Sequence, residues 1–231
     1  YLSGLKNIII NLLEEHGGFM EKEYLFNNLV NFSVGGGKNG ADEIKHKRHF
    51  DFLISKLLPD EFEAVGDSEH FKEFFKLKYQ SLEHLEALVK ELLEKIQEIK
   101  KIFTTEELVN LSKGLLAFKN NQEKFNPAGN LDISGILADD LFKESAEVVN
   151  GNKVIYSIFV AAKKIEQNKF GFWGLNDWRE IKPRTINDKI YLILKNSGQP
   201  MHFTEIADKI DKISFDRKKS NAATVHNELI M

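Results

Sequence analysis

The stretches Ile186-Asn-Asp-Lys-Ile-Tyr-Leu-Ile-Leu194, Gly198-Gln-Pro-Met-His-Phe-Thr-Glu-Ile206 and Asn221-Ala-Ala-Thr-Val-His-Asn-Glu-Leu-Ile230 follow one another at the end of the chain and decide its fold. Ile186, Ile190, Ile193 and Leu194 recur at helical spacing. Ser197-Gly198-Gln199-Pro200 then stops that helix with a residue free to take positive φ and with a proline. A second helix begins near Phe203-Thr204, and its apolar face is Ile206, Ala207 and Ile210. After a polar connector that carries Arg217, Lys218 and Lys219, a third helix is expected to turn Val225 and Leu229 inward. Thr224, His226 and Asn227 then lie on or beside its outward face. This is the order of a winged helix-turn-helix.

The segment resembles the HARE-HTH module, the winged helix of the delta subunit of bacterial RNA polymerase, also found in restriction enzymes and chromatin proteins. Asn187–Leu194, Gly198–Ile206 and Thr224–Leu229 carry the resemblance, over about the final fifth of the chain. It implies a role in transcription, with double-stranded DNA and RNA polymerase as partners. A wing of two strands belongs after the third helix, where the sequence has only Met231, so the wing is expected to be missing. Similar modules are attached to the promoter-binding region of sigma factors. A trimmed piece of a longer, sigma-factor-like transcription protein is the origin this suggests.

Composition bounds the rest. With 231 residues, 42% of them hydrophobic and 29% charged, the chain is long enough for two or three small domains with real cores. It has no cysteine, which excludes a disulfide scaffold, thiol catalysis and Cys-based zinc sites. No apolar run approaches the roughly 20 residues of a membrane span, and no signal peptide is visible. A soluble, cytoplasmic protein without membrane contact is expected, and the Asn-x-Ser triplets at Asn31 and Asn110 then carry no glycan. The net charge of −3 argues against a general nucleic-acid binder, but it is unevenly spread. Residues 1–80 hold ten basic against thirteen acidic side chains and residues 81–180 thirteen against sixteen, whereas residues 181–231 hold nine against six.

The pattern repeats. A shift of 181 places Ile9, Leu12, Leu13, Gly17, Met20 and Leu25 on Ile190, Ile193, Leu194, Gly198, Met201 and Ile206. Residues 1–80 therefore read as another winged helix, with a third helix from about Asp42 to Leu58. Phe62–Val65, a Gly66-Asp-Ser turn and Phe71–Tyr79 form the hairpin where a wing belongs. A shift of 83 gives a fainter copy, Leu92, Ile96, Phe103 and Leu108 on Ile9, Leu13, Met20 and Leu25, with no glycine between the helices. It continues through a polar insertion, Lys119–Asn130, into helices near Ile133–Phe142 and Val154–Gln167. It closes on Lys169–Leu175, an aromatic strand whose Trp173-Gly174-Leu175 is similar to the ending of HARE-HTH modules, and Pro183 marks a linker.

Several motifs have a plainer reading beside the functional one. Gly35–Gly40 is not a phosphate cradle, because Phe32 stands where a P-loop needs its first glycine and Asn39 where it needs Ser or Thr. The run Lys45-His-Lys-Arg-His49 opens the third helix of the first module, where side chains meet bases and phosphates, although a solvated helix face is the commoner fate of such a run. His46 and His49 with Glu43 lack a second cluster to complete a metal shell. Leu82, Leu85, Val89, Leu92, Ile96, Ile99 and Phe103 form a heptad seam that could pair two copies of the chain. Leu88, Leu93 and Ile102 widen it toward a core-facing helix. Trp173, Trp178, Phe170 and Phe172 could stack on bases, but dense aromatics are more often core. No catalytic signature stands out, and the adjacent Asp139 and Asp140 do not make an acid–base pair.

The expected protein is mainly α with small β-wings, built of tandem winged helix-turn-helix modules over 1–80, 81–180 (with insertions) and 181–231 (wing lacking). It is expected to be non-enzymatic and to need no cofactor or metal. The DNA contacts are expected at Lys45, Lys47, Arg48, His49, Arg217, Lys218, Lys219, Thr224, His226 and Asn227. The rival is a protein-interaction scaffold for polymerase or a chromosome-organising complex, and a homodimer through the Leu82–Phe103 helix is the oligomer the seam allows.

Overall fold

The computed structural model describes residues 2–33, 48–52, 54, 60–125, 144–216 and 219–230. It is mainly helical with small antiparallel sheets. Helix α1, Leu2–Glu15, buries Ile9, Leu12 and Leu13 completely. Gly17 and Gly18 then take φ of 81° and 84°, which reverses the chain directly into strand β1, Phe19–Glu21. Helix α2, Lys22–Ser33, follows without a loop, because the Glu21 carboxylate accepts the Tyr24 N–H at 2.8 Å and satisfies a donor of its first turn. A helical turn at 48–52 sets Phe50 against Phe26 and Phe75 at 5.6 and 5.7 Å. The expected hairpin is present as β2, Phe62–Val65, and β3, Phe74–Leu77, with Phe62 opposite Leu77. Strand β1 adds to the far side of β3, Phe19 opposite Lys76, to give the order β1-β3-β2.

The next hundred residues are a run of helices that again closes on a hairpin. Helix α3, Glu83–Ile99, ends on Lys100 at φ 55°, so a lysine takes the left-handed position that glycine holds after α1. Phe103 forms a short bridge with Trp173, donating to its carbonyl at 2.9 Å and accepting from its N–H at 2.7 Å. Helix α4, Thr105–Gly114, opens with a Thr104–Glu107 capping box. Next come α5 (Leu116–Lys119), a 3-10 turn (Gln122–Phe125), α6 (Ala146–Asn150) and α7 (Lys153–Ala161). Strands β4, Ile165–Gln167, and β5, Trp173–Leu175, close the region, with β5 between β4 and Phe103.

One expectation is corrected here. The helix foreseen over Val154–Gln167 stops at Ala161, because Ala162 turns extended and bridges Phe71 while Ile165 pairs with Leu175. The heptad stripe faces the core of its own chain, since its Leu85, Val89, Leu92 and Ile96 and the neighbouring Leu88 are fully buried, while Ile99 at its end is 42% exposed. A second copy could reach those side chains only by displacing the core. The glycine loop 35–40 and the helix expected near Ile133–Phe142 lie outside the described residues.

One continuous apolar core runs from Ile9 to Leu175 and takes side chains from both halves of this region, Trp173 included, while Trp178 packs at its margin. A second, separate core belongs to the end of the chain. There α8, Ile186–Ser197, α9, Phe203–Ile213, and α10, Ala222–Ile230, enclose Ile190, Ile193, Ile206, Ala207, Ile210 and Val225. Between the cores, Ile181 is buried against Gly174, where a Cβ would meet its Cγ1 at 2.9 Å, and Arg179 stacks over the Tyr191 ring at 4.1 Å.

Candidate nucleic-acid interface

The last three helices present the clearest polar face. Thr185 and Asp188 cap α8 reciprocally, and Gly198 ends it at φ 65° with its N–H on the Leu194 carbonyl, as the Ser-Gly-Gln-Pro run implied. The chain turns at once into α9, whose own end is the left-handed Ser214 at φ 56°. Lys189, buried at the base of the unit, is neutralised by Asp216 at 2.6 Å. The Asn221 side chain accepts the Ala223 N–H at 2.9 Å and starts α10.

With Val225 fully buried, α10 turns Thr224, His226 and Asn227 to solvent, and Lys219 is exposed just before it. Arg217 and Lys218 lie outside the described residues. Leu229 is not inward as expected but 44% exposed, because the small core takes Val225 and, at its margin, Ala222 from this helix. His226 is also not isolated: its ring meets Phe203 edge-on at 4.8 Å. Composition and periodicity gave no sign of that contact, since Phe203 reads as the first residue of the preceding helix.

In the first unit, Arg48 and His49 are exposed on the turn that buries Phe50, so the backbone sets both to solvent. Asp51 beside them is bound to Lys22 at 3.1 Å. Lys45 and Lys47 lie outside the described residues.

The middle unit behaves differently. Helix α7 directly precedes its hairpin, yet of its nine residues only Val160 is not buried. Part of the cover is its own unit, where Tyr156 and Phe159 meet the Trp173 ring, and part is the first unit. Ser157 donates its hydroxyl hydrogen to the Phe19 carbonyl at 3.1 Å, and Val154 sits where a Cβ on Gly17 would be, with Cγ1 at 2.7 Å. Lys153 makes a buried ion pair with Glu15. Next to it, burial is the main cause that lowers the His16 imidazole to a pKa of about 4. Its contact with the Leu12 carbonyl opposes this only in part. His16 is fully buried, with its two nitrogens on that carbonyl (2.7 Å) and on the Tyr24 hydroxyl (3.1 Å).

The turn between β2 and β3 docks on the segment after α7 as well. The Lys72 N–H donates to the Ala161 carbonyl at 2.9 Å, the Lys163 N–H to that of His70 at 2.8 Å, and the Lys163 ammonium pairs with Asp67 at 3.1 Å. Helix α7 thus packs on the Glu15–Phe19 turn of the first unit, and the hairpin turn of the first unit packs on the Ala161–Lys163 segment that follows the helix.

Among the described residues no group of three or more His, Asp or Glu side chains could hold a metal ion, and no helix is long and apolar enough to cross a membrane. Comparison with protein-family models, curated proteins and solved structures gives no match.

Proposed function

We propose that the chain is a non-enzymatic, transcription-associated protein that holds double-stranded DNA, RNA polymerase or both through tandem winged helix units, and that it works in the cytoplasm. The observation that carries this reading is α10. It presents Thr224, His226 and Asn227 outward from a three-helix unit, with Lys219 beside them, in the one of the three units that has a basic surplus. Short polar side chains on the third helix can reach base edges, and lysines before it can meet phosphates. The winged helix reading draws support from residues 1–80, where helix, strand, helix and a helical turn precede a hairpin whose last strand is central, and from 81–180, where a hairpin with a central last strand again closes a run of helices, with Phe103 bridged to it. The HARE-HTH resemblance of the last unit points the same way.

The burial of α7 favours a division of labour. The middle unit serves as a brace for the first, and the candidate DNA contacts are left to Lys45, Lys47, Arg48 and His49 and to the end of the chain. Binding to duplex DNA is expected to weaken steeply with salt, because phosphate contacts release counterions. No detectable affinity for duplex DNA at low salt would remove the DNA half of the proposal. The acidic charge of residues 1–180 favours the second reading, docking to polymerase or a chromosome-organising complex without DNA. Pull-down with and without nuclease separates the two, since an association bridged by DNA is lost on digestion and a direct protein contact persists.

A further inference from the structure

Two imidazoles flank one phenyl ring on the last unit. His202 lies against Phe203 with ring centroids 4.1 Å apart, and His226, from α10, meets the same ring at 4.8 Å and 67°. Both histidines are exposed. His202 also caps α9. Its Nδ1 accepts the Thr204 N–H at 3.4 Å and the Thr204 hydroxyl at 2.7 Å, which leaves the proton of the neutral ring on Nε2. Phe203 thus ties the start of α9 to the outward face of α10.

Resting on the DNA reading above, we infer that His202 and His226 form a proton-coupled phosphate contact, through which duplex DNA binding takes up protons near neutral pH. Imidazole changes charge between about pH 5 and 8. A charged ring donates a stronger hydrogen bond to phosphate than a neutral one, and an anion brought beside it favours the charged form. Protonation of His202 gives up the cap on the Thr204 N–H but keeps the contact with the Thr204 hydroxyl, which can turn to accept from Nδ1. The phenyl face between the rings accommodates positive charge.

The fixed charges around the pair leave it the variable part. On α9, Glu205 is engaged by Lys209 at 3.7 Å, and Asp211 accepts the Ser220 N–H. Asp208 and Lys212 on α9 and Glu228 on α10 complete the set of fixed charges on these two helices. On α8, Asp188 is held in the helix cap, Lys189 by Asp216 and Lys195 by Glu180 at 3.4 Å.

The test is calorimetric titration of the full chain with mixed-sequence duplex DNA, in two buffers of different ionisation heat. Wild type is expected to take up about half a proton per complex, averaged between pH 6 and pH 8, and so to bind roughly tenfold more tightly at pH 6 than at pH 8. Its slope of log K against log salt is expected to steepen by about 0.9 for each further phosphate that the charged rings neutralise. His202→Gln and His226→Gln are each expected to lose part of the uptake and the double variant nearly all of it, with circular dichroism unchanged. Wild type that binds DNA without proton uptake, or a double variant that keeps the wild-type uptake, overturns the inference and leaves the DNA reading standing. Wild type that binds no DNA at either pH overturns both.

Discussion

Ser157 of α7 donates a hydrogen bond to the carbonyl of Phe19 in β1 at 3.1 Å, across 138 residues of chain. A hydroxyl at this place satisfies the backbone of one unit from a helix of the next. The bond is buried, so its geometry is protected from water. The contacts around it set out what should happen when the junction is disturbed.

Gly17 holds φ at 81°, and a side chain there would drive into Val154. Gly17→Ala is expected to cost about 1–3 kcal/mol in chemical denaturation, from left-handed strain and overlap together. Adding Val154→Ala should recover part of that loss, so the two changes should not be additive. Additive losses would show that the overlap is relieved elsewhere.

Breaking the buried Lys153–Glu15 pair from one side strands the other charge. Lys153→Met is expected to destabilise by about 3–5 kcal/mol, and the double change Lys153→Met with Glu15→Leu by clearly less. Denaturation midpoints of the three proteins decide this.

His16 makes the fold sensitive to acid. Burial lowers its pKa from 6.5 to about 4, so between those values the unfolded chain carries a proton that the folded chain refuses. Stability is therefore complete above pH 6.5 and falls as the pH drops toward 4, by about 3 kcal/mol at most from this group. His16→Gln should flatten the stability curve in that window. An unchanged slope would mean that other groups set it.

Leu92 and Ile96 lie in the middle of the α3 seam and are fully buried. Replacing both with Glu is expected to unfold residues 1–180, read by circular dichroism, and not to split a folded dimer into folded monomers, read by light scattering.

Much of this arrangement was legible in the residues. The 3.6-residue spacing of Ile9, Leu12 and Leu13 and of Ile190 and Ile193, with glycine after each run, located the helix ends correctly. The hairpin of β2 and β3 followed from aromatic runs about a Gly-Asp-Ser turn. The stop after α3 was hidden because Lys100, not glycine, takes the left-handed position. The Phe103 bridge was hidden because a single paired residue leaves no alternation to read. Least legible was the burial of α7. Its apolar residues surround the helix and signal burial, but nothing in Val154 or Ser157 says that the cover is Gly17 and Phe19 from the other end of the sequence. The exposed site residues of α10 were set by helical phase against Val225, whereas the Phe203–His226 contact depends on tertiary packing that periodicity does not encode.

The most direct test of α10 as a reading helix is one equilibrium titration series against genomic fragments, with two double variants compared to wild type. Thr224→Ala with Asn227→Ala is expected to relax sequence preference by about 1–3 kcal/mol per lost base contact. Lys218→Ala with Lys219→Ala is expected to weaken binding to all sequences alike and to lower the salt slope. Circular dichroism should stay unchanged for the first pair, since both side chains are exposed. Two double variants that both bind like wild type would contradict the assignment and leave protein docking as the work of this helix.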